Sequence, residues 1–130
     1  DKLPRDNNIR FLGRIPYNTF LNLIGISSVH VYLTYPFVLS WSMLEAMSME
    51  ALVLGSKTAP VEEVIKNNKN GLLIDFFDHQ GIAKKVNNIL DNPKKYESIK
   101  KEARKTIIEK YDLNKICLPK QIETFKKLLK

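Results

Sequence analysis

Val29-His-Val-Tyr-Leu-Thr-Tyr-Pro-Phe-Val-Leu-Ser-Trp-Ser-Met-Leu-Glu-Ala-Met-Ser-Met-Glu-Ala-Leu-Val-Leu-Gly55 is the stretch whose reading decides the fold. Val29 to Leu33 is rich in β-branched and aromatic residues, as a buried strand is. A helix follows over Ser40 to Met49, with Ser40 placed to cap it. Ala51-Leu-Val-Leu54 then makes another strand, ended by Gly55. Strand, loop, helix, strand in this order is the unit from which parallel sheets are built.

The same stretch is almost silent in charge. The chain carries 21 Lys and Arg, yet none falls between Ile15 and Ser56. The carboxylates inside that window are Glu45 and Glu50. A Glu within a segment that otherwise reads as buried helix is costly unless something polar meets it. A polar partner is therefore expected at Glu45, and its identity is the functional question.

Outward from this core, strands and helices keep alternating. Ile9-Arg-Phe-Leu12 is a short strand candidate ending at Gly13, and Tyr17 to Ser28 carries Tyr17, Phe20, Leu21, Ile24 and Ile26 close to helical spacing. Pro60 suits the first turn of a short helix over Val61 to Lys66. Asn70-Gly71 is a tight turn, and Leu72-Leu-Ile74 a strand closed by Asp75. Asp78 caps a helix running to about Leu90 and broken at Asn92-Pro93. Lys94 to Lys110 and Leu113 to Leu129 are amphipathic helices with Asp112 as the cap between them. These elements predict an α/β fold: half of a Rossmann-like parallel sheet of about four strands, flanked by helices and followed by C-terminal helices. In such sheets ligands bind outside the carboxyl ends of the strands. Those ends are Gly13–Pro16, Thr34–Leu39, Ser56–Pro60 and Asp75–Asp78.

Composition bounds the function. The 130 residues suit one domain with a sizeable core, and the formal net charge is +7. No apolar run reaches the roughly 18 residues that span a bilayer. The start, Asp1-Lys2-Leu3-Pro4-Arg5, has neither an apolar signal segment nor an initiator Met, and reads as an internal cut in a longer chain. The lone Cys117 permits no internal disulfide, which fits a reducing, cytoplasmic setting. Between Ile116 and Leu118 it reads as a packed thiol. From Asp91 to Lys130 there are 12 Lys or Arg against 6 Asp or Glu. That positive field attracts nucleotides, anionic lipid or nucleic acid, or simply marks a solvated helix face. With His30 and His79 as the histidines and one Cys, no metal-ligand cluster is visible. His30 sits inside a strand and reads as structural, Glu63 as a cap or ion-pair partner, and Trp41 as either a packing or a stacking residue.

A helix that begins at Ser40 presents unpaired backbone N–H groups at its N-terminus, a ready anion site. Ser40 and Ser42 add hydroxyls. No Lys or Arg lies in the loop, so an anion there would rest on amides, hydroxyls and the helix dipole. A vicinal diol such as a ribose could donate two hydrogen bonds to Glu45, farther along the helix. Diphosphate at the helix start and ribose on the carboxylate form a nucleotide-shaped pattern. The plainer alternative is that Ser40 is only a cap and Glu45 pairs with a distant Lys.

From Asn8 to about Leu129 the chain resembles the C-terminal half of the nucleotide-binding domain of family-4 (group 1) retaining glycosyltransferases of the GT-B fold. The residues that carry the likeness stand in the family's order. They are Phe11-Leu-Gly13, Val29-His-Val-Tyr-Leu33, Leu44-Glu-Ala-Met47, Leu52-Val-Leu-Gly-Ser56, Glu63-Val-Ile65 and Asn70-Gly-Leu-Leu73. The resemblance implies that Glu45 contacts the ribose of a sugar nucleotide. It implies that backbone at Ser40 and Trp41 meets the diphosphate, where the Ser42 hydroxyl read from the sequence also stands, and that Gly13, Arg14 and Ile15 contact the base. The first of the family's paired glutamates falls at Phe37, and two of its glycines fall at Ala59 and Pro60, so the sugar-side contacts depart from the pattern. No catalytic residue is assigned.

What the resemblance implies is a donor-binding part, residues 1–130, of a cytoplasmic enzyme that moves a sugar from a UDP- or GDP-sugar to a hydroxyl acceptor with retention. It implies no obligatory metal and no cofactor beyond the donor. A saccharide or lipid-linked acceptor would be held by an N-terminal domain outside this sequence, so the fragment alone is expected to be inactive. Peripheral contact with the inner membrane surface suits the basic C-terminal helices, and no nucleic acid is expected. The rival from another class is a non-catalytic α/β interaction module that binds nucleic acid or anionic membrane through those helices. Glu97, Glu102, Glu109 and Glu123 interleave with the basic residues and weigh against it.

Overall fold

The computed structural model describes residues 8–35 and 38–129. The described elements run α1 (Tyr17–Ile26), β1 (His30–Tyr32), α2 (Trp41–Ser48), β2 (Val53–Ser56), α3 (Ala59–Val64), β3 (Leu72–Ile74), α4 (His79–Asp91), α5 (Glu97–Tyr111) and α6 (Leu118–Leu128). A 3-10 turn (Pro93–Tyr96) leads into α5, and a π turn (Leu113–Cys117) joins α5 to α6. The sheet is parallel throughout, in the order β1-β2-β3. It is the expected α/β fold with three strands among the described residues.

Ile9 to Leu12 does not join the sheet. The segment carries β-forming residues, but Phe11 is 78% exposed and no described strand lies beside it. A strand exists only through a neighbour, so propensity alone does not make one. The outer side of β1 accordingly has no paired strand among the described residues, and Val31 and Leu33 there are partly exposed.

The pleat of the sheet sorts the core onto two faces. Val53 packs with Ile24 of α1, Met43, Ala46 and Met47 of α2, Val61 and Val64 of α3, and Ala103 of α5. Leu52, Leu54 and Leu72 turn the other way and pack with Ile89 of α4 and Tyr96 of the 3-10 turn. Helices therefore cover both faces. Met43 and Met47 are wholly buried, each contributing about 1.5–3 kcal/mol of apolar transfer.

Local chemistry sets the boundaries. Asp78 caps α4 by accepting the Gly81 amide at 2.8 Å, and Asp112 caps the π turn by accepting from Lys115 N at 2.8 Å. Pro60 sits in the first turn of α3. Buried Asn70 donates through Nδ2 to Val64 O and Thr106 Oγ1 and accepts the Lys66 amide, which ties the Asn-Gly turn to α5. Gly55 lies within β2 and does not end it. A Cβ built there would come within 2.9 Å of Val61 Cγ1, so the glycine exists for the close approach of α3.

Candidate functional site

Because the strands are parallel, their carboxyl ends share one edge, where the segments after β1, β2 and β3 begin. Ser56 joins the first two. Its Oγ accepts the Thr34 amide at 3.0 Å and donates to the Thr34 carbonyl at 2.8 Å. Tyr32, buried on β1, reaches over the loop so that its hydroxyl oxygen accepts the Ser40 amide at 2.9 Å. The entry to α2 is thus held to the sheet from both sides. Phe37, where the resemblance departs from its family, lies outside the described residues, as does Pro36.

Ser40 is the N-cap of α2. Its Oγ accepts the Ser42 amide at 3.3 Å and lies 3.0 Å from Ser42 Oγ. Two hydroxyls therefore stand together at the positive end of the helix, where Ser40 caps the Ser42 amide through Oγ and receives the Met43 amide on its carbonyl at 3.3 Å. Trp41, the first helical residue, is 79% exposed, so it is not part of the core.

The polar partner expected at Glu45 is the phenol of Tyr17, which donates to Oε1 at 2.8 Å. Among the described residues no Lys reaches this carboxylate. Tyr17 opens α1 directly after the Gly13–Pro16 segment, and this bond joins that segment to α2. The hydrogen bond to Glu45, then burial and the carboxylate's charge, raise the Tyr17 pKa above its usual value. Gly13 itself takes a left-handed backbone, φ 61°, with open space where a Cβ would be. Arg14 is exposed and Ile15 half-buried.

Glu45 also borders a cleft of about 330 Å³ lined by Trp41, Leu44, Tyr111, Leu113 and Cys117. Burial, with the charges of Glu63 and Cys117, raises the Tyr111 pKa. The structure therefore brings Ser40, Trp41, Ser42 and Glu45 onto one helix and ties Glu45 to the residue that follows the Gly13–Ile15 segment. Of the residues that fix this geometry, Tyr32 and Ser56 lie in segments that carry the resemblance but drew no role from it, and Tyr17 lies in no such segment. No group of three or more His, Cys, Asp or Glu suited to a metal occurs among the described residues. No helix is long and apolar enough to cross a membrane.

Residues 1–106 match the family "Glycosyl transferases group 1", and the chain belongs to that family. Solved structures share the fold. A glycosyltransferase from Rickettsia africae superimposes with a TM-score of 0.77 at 27% identity over 84% of this chain and 29% of its own. Sucrose-phosphate synthase from Thermosynechococcus elongatus gives 0.84 at 20% identity, over 92% of this chain and 30% of its own. Anabaena HepE, solved with UDP and glucose, gives 0.83 at 21% identity over 94% of this chain and 33% of its own. The chain thus spans about a third of the length of these proteins or less. No curated protein sequence matches it significantly.

Proposed function

We propose that residues 1–130 are the C-terminal, donor-binding part of a longer cytoplasmic glycosyltransferase that uses a UDP- or GDP-sugar. In this reading the diphosphate sits on the first turn of α2 with the backbone of Ser40 and Trp41 and the hydroxyls of Ser40 and Ser42. The ribose hydroxyls donate to Glu45, and the base lies along Gly13, Arg14 and Ile15. The observation that carries it is the grouping of a serine-capped helix start, a carboxylate farther along the same helix, and the Gly13–Ile15 segment tied to that carboxylate through Tyr17.

The reaction is transfer of the sugar to a hydroxyl of a saccharide or lipid-linked acceptor, with retention at the anomeric carbon and without a metal or further cofactor. The chain's contribution is positioning and stabilisation of the leaving diphosphate. The acceptor is bound by an N-terminal domain, so this part alone does not turn over. The test is titration with UDP and GDP of the wild-type protein and of Glu45→Gln, beside a random oligonucleotide at two salt concentrations. Weak but measurable nucleotide binding that Glu45→Gln weakens a further tenfold or more, roughly, supports the reading. A steep salt slope with the oligonucleotide, beside no binding of either nucleotide, overturns it.

One observation favours the second reading, a surface-binding module. The last helix, α6, is amphipathic, with Leu118, Ile122 and Phe125 on one stripe, all exposed, and Lys120, Lys126 and Lys127 elsewhere on its surface. The same oligonucleotide arm, repeated with anionic vesicles, decides it.

A further inference from the structure

We propose that Tyr17 is a positioning residue for the nucleotide: its phenol holds Glu45 in the orientation that receives the ribose and fixes that carboxylate relative to the Gly13–Ile15 segment. The inference rests on the donor-binding reading of Glu45 and goes beyond it.

The geometry is specific. Tyr17 and Glu45 are separated by 28 residues and lie on different helices, yet the phenol meets Oε1 at 2.8 Å. An ionised carboxylate has two oxygens and about four lone-pair directions. Tyr17 uses one of these. Among the described residues Oε2 makes no hydrogen bond, so it and the rest of Oε1 remain for two ribose hydroxyls. Glu45 is half-buried on α2, and a Glu side chain in that setting otherwise samples several rotamers, which binding would have to order at an entropic cost. Holding it before the ligand arrives removes part of that cost from binding.

Tyr17 is suited to the task. It sits in the first turn of α1, immediately after the segment proposed to meet the base, and its ring stacks at 6.3 Å on Phe20 of the same helix. The phenol thus moves with α1 and with the segment ahead of it. A phenol is protonated at neutral pH in any case, and the upward shift from the Glu45 hydrogen bond only adds to this, so Tyr17 remains a donor to the carboxylate. A base-side segment and a ribose-side carboxylate on separate elements need such a tie to keep one spacing. No other described side chain provides it at Glu45.

The test uses Tyr17→Phe and Glu45→Gln in the full chain, with Kd measured for UDP, GDP and their 2′,3′-dideoxy forms. For whichever nucleotide binds the wild type, Tyr17→Phe is expected to raise Kd about 5- to 10-fold. That penalty should vanish for the dideoxy form, because the hydroxyls that Glu45 would receive are gone. A role confined to packing α1 on α2 would weaken both forms equally, and that result overturns the proposal. So does an unchanged Kd in Tyr17→Phe when Glu45→Gln binds weakly. If neither nucleotide binds the wild type, or Glu45→Gln binds as well as the wild type, the donor-site reading has failed and the positioning role falls with it. Tyr17 is 58% exposed, so its melting temperature should move little, and a large fall would mark Tyr17 as structural instead.

Discussion

Ser56 and Thr34 exchange two hydrogen bonds, Oγ accepting from the amide at 3.0 Å and donating to the carbonyl at 2.8 Å, across the carboxyl ends of β2 and β1. Ser56 is fully buried. Ser56→Ala keeps the fold's volume but strands both backbone groups of Thr34. It should cost about 1–3 kcal/mol, read as a lowered midpoint in urea with an unchanged slope. On the proposed donor-binding reading, nucleotide affinity should fall as well, since the loop leading to Ser40 loses its hold. Loss of stability with intact affinity would show that the clamp serves the sheet alone.

Gly55 faces Val61 so closely that a methyl group would sit 2.9 Å from Val61 Cγ1 and 3.5 Å from Ile65 Cδ1. Gly55→Ala should overpack the β2–α3 contact and destabilise by about 1–3 kcal/mol. The double variant Gly55→Ala/Val61→Ala should recover part of this. A single variant as stable as wild type would mean that α3 shifts freely, against the packing described.

Glu50 adopts φ 57°, the left-handed region, where α2 gives way to β2. A side chain there costs about 1–2 kcal/mol relative to the right-handed region, and the Glu50–Arg104 contact, 3.7 Å and exposed on both sides, returns less than about 1 kcal/mol. Glu50→Gly should therefore raise stability by about 0.5–1 kcal/mol. Arg104 keeps its 2.6 Å bond to the Ser48 carbonyl in either case. Glu50→Ala, which loses the charge but retains the Cβ, should show no such gain.

Burial lowers the pKa of His30 below its usual value, and Nε2 has no hydrogen-bond partner in the structure. The unfolded chain therefore binds more protons as the pH drops below about 6.5. Stability should be full above that pH and decline as the pH falls toward the folded pKa. His30→Phe should flatten the melting temperature between neutral and mildly acidic pH without loss at neutral pH. An unchanged acid slope would place the sensitivity elsewhere.

The sequence-based reading succeeds where the signals are local. Ser40, Asp78 and Asp112 announce the helix starts they cap, Pro60 and Asn92-Pro93 mark a start and a break, and Leu72 to Ile74 is a strand at the predicted bounds. It fails where the cause is non-local. Ile9 to Leu12 has strand composition but no neighbour to pair with, and Gly55 looks like punctuation although its reason is a helix packed against it. The run from Leu113 begins with a π turn and becomes α-helix only at Leu118. At the candidate site, the Ser40 cap and Glu45 are legible because helical spacing relates them. The Tyr17 bond is not, since no periodicity links two helices separated by a strand.

The outer edge of β1 has a consequence for handling the molecule. Val31 and Leu33 lie there beside backbone groups that no described strand engages, with exposed Ile26 and Phe11 among the other apolar residues of this N-terminal region. Such an edge is a template for another chain's strand. When residues 1–130 stand alone, association through this edge should grow with concentration, and Val31→Lys is the natural guard against it.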